Sequence, residues 1–414
     1  MIQKLKGESK AVADINFTLN YEFLVGLFSE DRNKAFGKLM EAIMNQVLKT
    51  ESTEQLGAEN YERSKDRRDY RNGTRKRELV TRIGKIELDV PRHRDVPFKT
   101  VLFENYQRNE QALIATMMEM VVQGVSTRNI SKITEELCGA RFSKSAVSDI
   151  CKDLDEPVKK FRDRPLITRY PFVMLDAIYI KVREDHRIRS KAVLIAIGIN
   201  TNGQKEVLGF SLCDTEKELT WKEFIEGLKS RGLHGVDIVI SDSHQGLIKA
   251  ITETLPGAAW QRCQVHLMRN IMDKTPKKYQ YGLKAELNSM FQAVTIQEAR
   301  TLRDKIYEDY QDVAPKAMQI LDDGFEHAMT IMVLPSKYRR SLRTTNIIER
   351  ENREIRRREN VIQIFPNASS AERLIGAILM DDNNDWIGKN RVFHMGEYLE
   401  QEVSIMQKIT KLIA

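Results

Sequence analysis

At 414 residues the chain exceeds the usual reach of one hydrophobic core, so two to four packed units are expected. Hydrophobic residues make up 41% and charged residues 30%, which excludes a disordered chain, and no run approaches the ~20 apolar residues that span a bilayer. The formal charge of +7 is concentrated: residues 63–94 carry twelve Lys/Arg against five Asp/Glu and residues 337–358 carry nine against three, a pattern suited to phosphate contact at two places, although solvated charged faces give the same counts.

The opening residues, MIQKLKGESK, contain no apolar segment of signal-peptide length, and the protein is expected in the cytoplasm or on nucleic acid. Cys138, Cys151, Cys213 and Cys263 stand singly, without the paired spacing of a disulfide frame or a closed zinc site.

In chain order, apolar residues from about Tyr21 to Lys49 recur at helical spacing. After a charged passage, two alternating runs between Glu78 and Val90 meet at Gly84 and Lys85 as a β-hairpin, which Pro91 should end. Ser126 to Ile150 has the form of a helix-turn-helix: Ser126 and Ser143 are N-caps and Gly139 suits the first helix's C-terminal end. Its second helix opens with Lys144-Ser145-Ala146, short and polar enough for a DNA groove, although many helix pairs of this form never touch DNA.

Three strand-like runs follow, Phe172 to Val182, Ala192 to Asn200 and Glu206 to Leu212. Next come a helix from Glu218 to Leu233, a strand from Val236 to Ile240, a helix from Gln245 to Leu255 and a strand from Ala258 to Val265. An antiparallel meander extended by parallel strands is the order expected of a ribonuclease-H-like fold. From Leu267 to Arg343 the pattern is helical, and further helices begin near Asn346 and Ala371.

Asp176 lies in an apolar strand, where an unpaired carboxylate costs several kcal/mol, so it is paired, protonated or metal-bound. Asp242 follows the strand ending at Ile240, at the carboxyl end where sites form on such sheets, although a helix cap is the plainer reading. Glu349 stands just before Arg350, Arg353, Arg356 and Arg357; with Asn346 as N-cap it could instead close a capping box. Two strand aspartates and a helix glutamate can hold two hard divalent cations for in-line displacement at phosphorus, Mg²⁺ fitting best and Mn²⁺ substituting. Cys263 and His266 form a Cys-x-x-His pair, read as a packed thiol and a hydrogen-bonded histidine, while His244 is either a second contact around Asp242 or a helix-start residue.

Five motifs carry a resemblance: LDAIYIKV around Asp176, ISDSHQGL around Asp242, WQRCQVH from Trp260 to His266, LDDGFE, and TTNIIER around Glu349, with YRNG and VSTR upstream. Together they resemble the Mutator-type transposases of bacterial insertion sequences, among the carboxylate-triad transposases, over about Tyr61 to Trp386. The resemblance implies a multidomain α/β protein whose ribonuclease-H-like core is interrupted by an all-helical insertion. It assigns catalysis and Mg²⁺ binding to Asp176, Asp242 and Glu349, and the family's Cys-x-x-His motif to Cys263 and His266. It also implies double-stranded DNA partners, the terminal inverted repeats and target DNA, and a homodimer or larger assembly in a bacterial, nucleoid-associated setting; an inert DNA-binding regulator derived from such an enzyme is the alternative.

The expected organisation is an N-terminal helical region (1–60), a basic β-hairpin region (61–109), a helix-turn-helix-like domain (110–165), a core (166–266 and 343–400), a helical insertion (267–342) and a tail (401–414). Candidate DNA contacts are Arg71, Arg75, Lys76, Arg77, Arg92 and Arg94 on the hairpin, Arg128, Lys144 and Ser145 in the helix-turn-helix, and Arg350, Arg353, Arg356 and Arg357 beside Glu349.

Overall fold

The computed structural model describes residues 32–59, 61–62, 65–81, 84–100, 102, 111–387 and 391–413. The first part of the expected N-terminal helix and Arg63 lie outside the described residues. The described residues up to Cys151, apart from Val122–Gly124, form one compact unit; Val122–Gly124 and the described residues from Lys152 onward form a second.

In the first unit, helix α1 (Arg32–Leu56) packs on a hairpin of β1 (Arg71–Thr81) and β2 (Gly84–His93), burying Leu48 against Leu79, Ile86 and Leu88. The hairpin begins earlier than alternation suggests, because its first residues are mostly exposed on both faces and carry no apolar signal. Nor does Pro91 end it: β2 runs on to His93 and Pro91 pairs with Thr74. Both strands of a two-stranded ribbon are edges, so a position without an N–H is tolerated there.

Helices α2 (Gln111–Val122), α3 (Thr127–Cys138) and α4 (Lys144–Ile150) follow. Ser126 caps α3 by accepting from the Asn129 N–H, and Ser143 caps α4 by accepting from the Ala146 N–H. Gly139 closes α3 at φ 62°, a left-handed conformation that favours glycine. Leu113, Met117, Ile130, Phe142 and Val147 form the core of this helical group.

The second unit begins with α5 (Asp155–Asp163) and is built on a five-stranded sheet of β3 (Phe172–Glu184), β4 (Arg187–Ile199), β5 (Lys205–Cys213), β6 (Ile238–Ser241) and β7 (Ala259–Arg262). The strand order is β5-β4-β3-β6-β7; β3, β4 and β5 are antiparallel, while β6 runs parallel to β3 and β7 parallel to β6. Strand alternation separates two cores. Val173, Leu175 and Val239 face α6 (Glu218–Ser230) and α7 (Gln245–Thr254), where Trp221, Ile225 and Leu247 are buried. Phe172, Met174, Ile238 and Ile240 face the other side.

The last strand stops at Arg262, short of Val265, because Cys263 begins the next helix, α8 (Gln264–Asp273). Helices α9 (Lys277–Phe291), α10 (Ile296–Tyr310) and α11 (Pro315–Ala328) form with α8 a separate apolar cluster around Leu287, Ile306, Leu321 and Phe325. Then come α12 (Ser336–Leu342), α13 (Asn346–Ile362), α14 (Ala368–Ile387), α15 (Gly396–Glu400) and α16 (Glu402–Ile413). Helix α14 lies so close to β5 that a Cβ at Gly376 would meet the Phe210 ring at 2.8 Å. The last residues are not a loose tail: Tyr398, Ile405 and Ile409 are buried with Phe172 and Tyr338. Among the described residues, no helix is long and apolar enough to cross a membrane.

Candidate active site

Register brings the two aspartates together. Strands β3 and β6 run side by side, with Phe172 opposite Ile238 and Met174 opposite Ile240. Asp176 and Asp242 occupy the next in-phase positions, two residues beyond each member of the last pair, and so follow the face of Phe172, Met174, Ile238 and Ile240. Strand β6 ends at Ser241, which leaves Asp242 at the carboxyl edge, while β3 continues past Asp176 beside β4. Both side chains are half-buried. Asp176 accepts from the Ala177 N–H at 2.9 Å, and Asp242 accepts from the His244 N–H at 3.1 Å.

Glu349 arrives on α13, whose start is fixed by contacts across eighty residues of chain. The Gln264 N–H donates to the Arg343 carbonyl at 3.0 Å, and the N–H and hydroxyl of Thr345 donate to the buried Cys263 sulfur at 3.4 and 3.3 Å. Thr345, not Asn346, is the N-cap, and it makes no side-chain cap bond because its hydroxyl is committed to Cys263. Glu349 therefore lies one position too late to close a capping box, and its backbone N–H donates to the Thr345 carbonyl. The side chain points inward: Oε1 is buried without a hydrogen-bond partner among the described residues, 3.6 Å from His266 Nε2.

These groups feel one another's charge. Burial pushes the Asp176 carboxyl up to about 6; Asp242 and Glu349 add to the rise, while the Ala177 N–H and His266 oppose it. The neighbouring Cys263 sulfur raises His266, against burial, and the charges of Asp176 and Glu349 raise it further. Burial alone would raise the Cys263 thiol, yet His266 and Thr345 hold it below its ordinary value. Among the described residues, no three His, Cys, Asp or Glu side chains stand together at ion-holding spacing. Asp176 Oδ2 instead accepts from Asn352 Nδ2 at 2.7 Å.

His244, the remaining candidate near Asp242, and Trp260 of the WQRCQVH motif have local roles. His244 caps α7, its Nδ1 accepting from the Leu247 N–H at 3.3 Å, which matches the helix-start reading. Trp260 Nε1 donates to Ser241 Oγ at 2.9 Å and steadies the strand end before Asp242. Asn352 escaped the sequence reading, although its place one turn beyond Glu349 on an amphipathic helix was the available signal.

Comparison with known proteins decides the family. The family described as "Transposase, Mutator family" matches residues 24–389. The chain belongs to the Mutator family of transposases. It is 44% identical to the transposase of insertion sequence element IS256 in transposon Tn4001 from Staphylococcus aureus, over 92% of this chain and 99% of that protein. It is 42% identical to the ISRM5 transposase of Rhizobium meliloti, covering 88% and 92% of the two chains. The IS1081 transposase of Mycobacterium tuberculosis is 36% identical, covering 85% and 86%.

The transposase's arginines divide by what they touch. Arg350 and Arg353 are exposed, with no carboxylate partner among the described residues, whereas Arg356 donates to the Tyr179 carbonyl at 2.7 Å and pairs with Glu359, and Arg357 pairs with Glu354. On the hairpin, Arg71 is tied to the Ala58 carbonyl and Thr53, Lys76 pairs with Glu87, and Arg77 has a partner of its own. Arg75, Arg92, Arg94, Arg128 and Lys144 are exposed, and Ser145 Oγ lies 2.9 Å from Ser143 Oγ. A cavity of about 490 Å³ was not visible in the sequence; its lining includes Gln264, Phe291, Met332, Arg339, Arg340 and Arg343 and no acidic residue. Arg339 is locked to the carbonyls of Leu334, Val294 and Met332, while Arg340 and Arg343 have no carboxylate partner among the described residues.

Proposed function

We propose that this transposase cleaves and joins DNA strands at the terminal inverted repeats of an insertion sequence, using Asp176, Asp242 and Glu349 with divalent cations, Mg²⁺ first and Mn²⁺ in its place. One observation carries the reading: Asp176 and Asp242 come next in phase just beyond the paired stretch of the parallel strands β3 and β6, and α13, which bears Glu349, is tied to Asp176 through Asn352. The strand order supports a ribonuclease-H-like core, with α8 to α11 as the helical insertion between Asp242 and Glu349.

The donor chemistry fits a hard cation. All three side chains offer oxygen, the ionised form of Asp176 is held at a cost that a cation would relieve, and Glu349 Oε1 is a buried acceptor without a donor among the described residues. Side-chain rotation is needed for convergence, since no three of these groups stand at ion-holding spacing as they lie. Bound between them, such ions supply Lewis acidity to an attacking oxygen and to the leaving oxygen of the phosphodiester.

The protein's own part is positioning. Strand β3, paired with β4 along its length and with β6 up to Met174, fixes Asp176, and the Cys263–Thr345 contacts fix the height at which α13 delivers Glu349. The Cys263 sulfur and the charges of Asp176 and Glu349 raise the His266 imidazole against burial, which favours its charged form beside the acidic groups. Arg350 and Arg353, on the helix of Glu349, offer guanidinium groups to backbone phosphates. The hairpin and the α3–α4 pair are the proposed contacts to the element ends. Asp176→Ala should bind the end sequences with wild-type affinity and make no nick in Mg²⁺; full cleavage by that variant would overturn the assignment.

A further inference from the structure

We propose that Asn352 is a fourth oxygen donor of the site, contributing its side-chain carbonyl to the cation held by Asp176; this rests on the carboxylate reading above. Asn352 stands three residues after Glu349 on α13, so the two share a helix face. Its Nδ2 donates to Asp176 Oδ2 at 2.7 Å, while its Oδ1 is buried and has no partner among the described residues.

A purely structural role, tying α13 to β3, uses the N–H and leaves that oxygen unexplained. A buried acceptor without a donor is a cost that a side chain kept only as a tie does not have to carry. The amide has a further property: a half-turn exchanges oxygen for nitrogen with almost no change of shape. The group that donates to an ionised Asp176 can thus, by rotating, offer a carbonyl to a cation on the same carboxylate. Amide carbonyls are ordinary ligands of hard divalent ions, and a neutral donor adds coordination without a fourth negative charge among Asp176, Asp242 and Glu349. The bulk and polarity of the side chain stay in place in both orientations, so neither helix nor strand has to move.

The test uses Mn²⁺ as probe with the full-length protein, alone and bound to DNA of the element ends. With asparagine labelled by ¹³C at the carboxamide carbon, pulsed electron paramagnetic resonance of bound Mn²⁺ should show a ¹³C coupling in the wild type that is absent in Asn352→Leu. In the Leu variant, Mn²⁺ affinity should fall about tenfold or more while end binding is kept. Bound Mn²⁺ without carboxamide coupling in the wild type would overturn the proposal, as would a folded Leu variant with unchanged affinity. Should the Leu variant not fold, the wild-type spectrum still decides. Asp176→Asn separates the two readings: loss of Mn²⁺ there, with no coupling in the wild type, removes only Asn352, whereas wild-type Mn²⁺ affinity in Asp176→Asn removes the carboxylate site itself.

Discussion

Replacing Asp176 by asparagine separates the cost of its charge from the use of that charge. Burial and the nearby carboxylates lift this group from 3.8 to about 6 in the folded protein. A carboxyl whose folded pKa lies above its unfolded value binds its proton more tightly when folded. Its stabilising contribution is therefore complete below about 3.8, is lost as pH rises towards and through about 6, and leaves a constant penalty above that. The ceiling on this penalty is about 3 kcal/mol, and partial exposure of the carboxyl to solvent brings the working figure to roughly half. Since 1 kcal/mol moves the melting point of a unit this large by about 2–4 °C, Asp176→Asn should melt about 3–6 °C above the wild type at pH 7.5 in chelator. The gap should shrink to about half by pH 5. The single oxygen of the replacement amide can keep the Ala177 N–H, and its N–H2 group, placed where Oδ2 was, finds an acceptor when the Asn352 amide turns its oxygen towards it. Differential scanning fluorimetry across pH reads this directly, and added Mg²⁺ should stabilise the wild type but not the variant. A variant that melts at or below the wild type at pH 7.5 would refute the argument that Asp176 is held charged at a cost.

The remaining predictions concern placement and DNA contact. Cys263→Ala should lower stability by about 1–3 kcal/mol by leaving the Thr345 N–H and hydroxyl without their acceptor, while Cys263→Ser should retain most of it; thermal melts of both distinguish this from a simple loss of volume. Arg340→Ala with Arg343→Ala should weaken DNA binding and flatten the plot of log affinity against log salt by up to about 2, as two phosphate contacts would; an unchanged slope would show that the cavity takes no phosphate. Deleting residues 391–413 removes Phe393, Met395, Tyr398, Ile405 and Ile409 from the core, at about 1.5–3 kcal/mol each, and should yield insoluble protein on expression.

The sequence by itself determined the local units, because their signals lie within a few residues. Strand-like apolar runs announced β3, β4 and β5, and Ser126, Gly139 and Ser143 announced the ends of their helices, since a cap is a contract between near neighbours. Its motifs also sufficed for the family. Where local rules competed with distant partners they misled. Thr345 took the capping position because its hydroxyl had Cys263 to bond, the strand at Trp260 ended early because a helix begins at Cys263, and exposed β1 gave too little apolar contrast to mark its start. Only the tertiary structure decided that Asp176 and Asp242 fall in phase, because parallel register is set by packing between strands that share no local signal. It alone brought Asn352 to Asp176 and gathered Arg339, Arg340 and Arg343 around one cavity, since contacts between residues far apart in the chain leave no spacing to read.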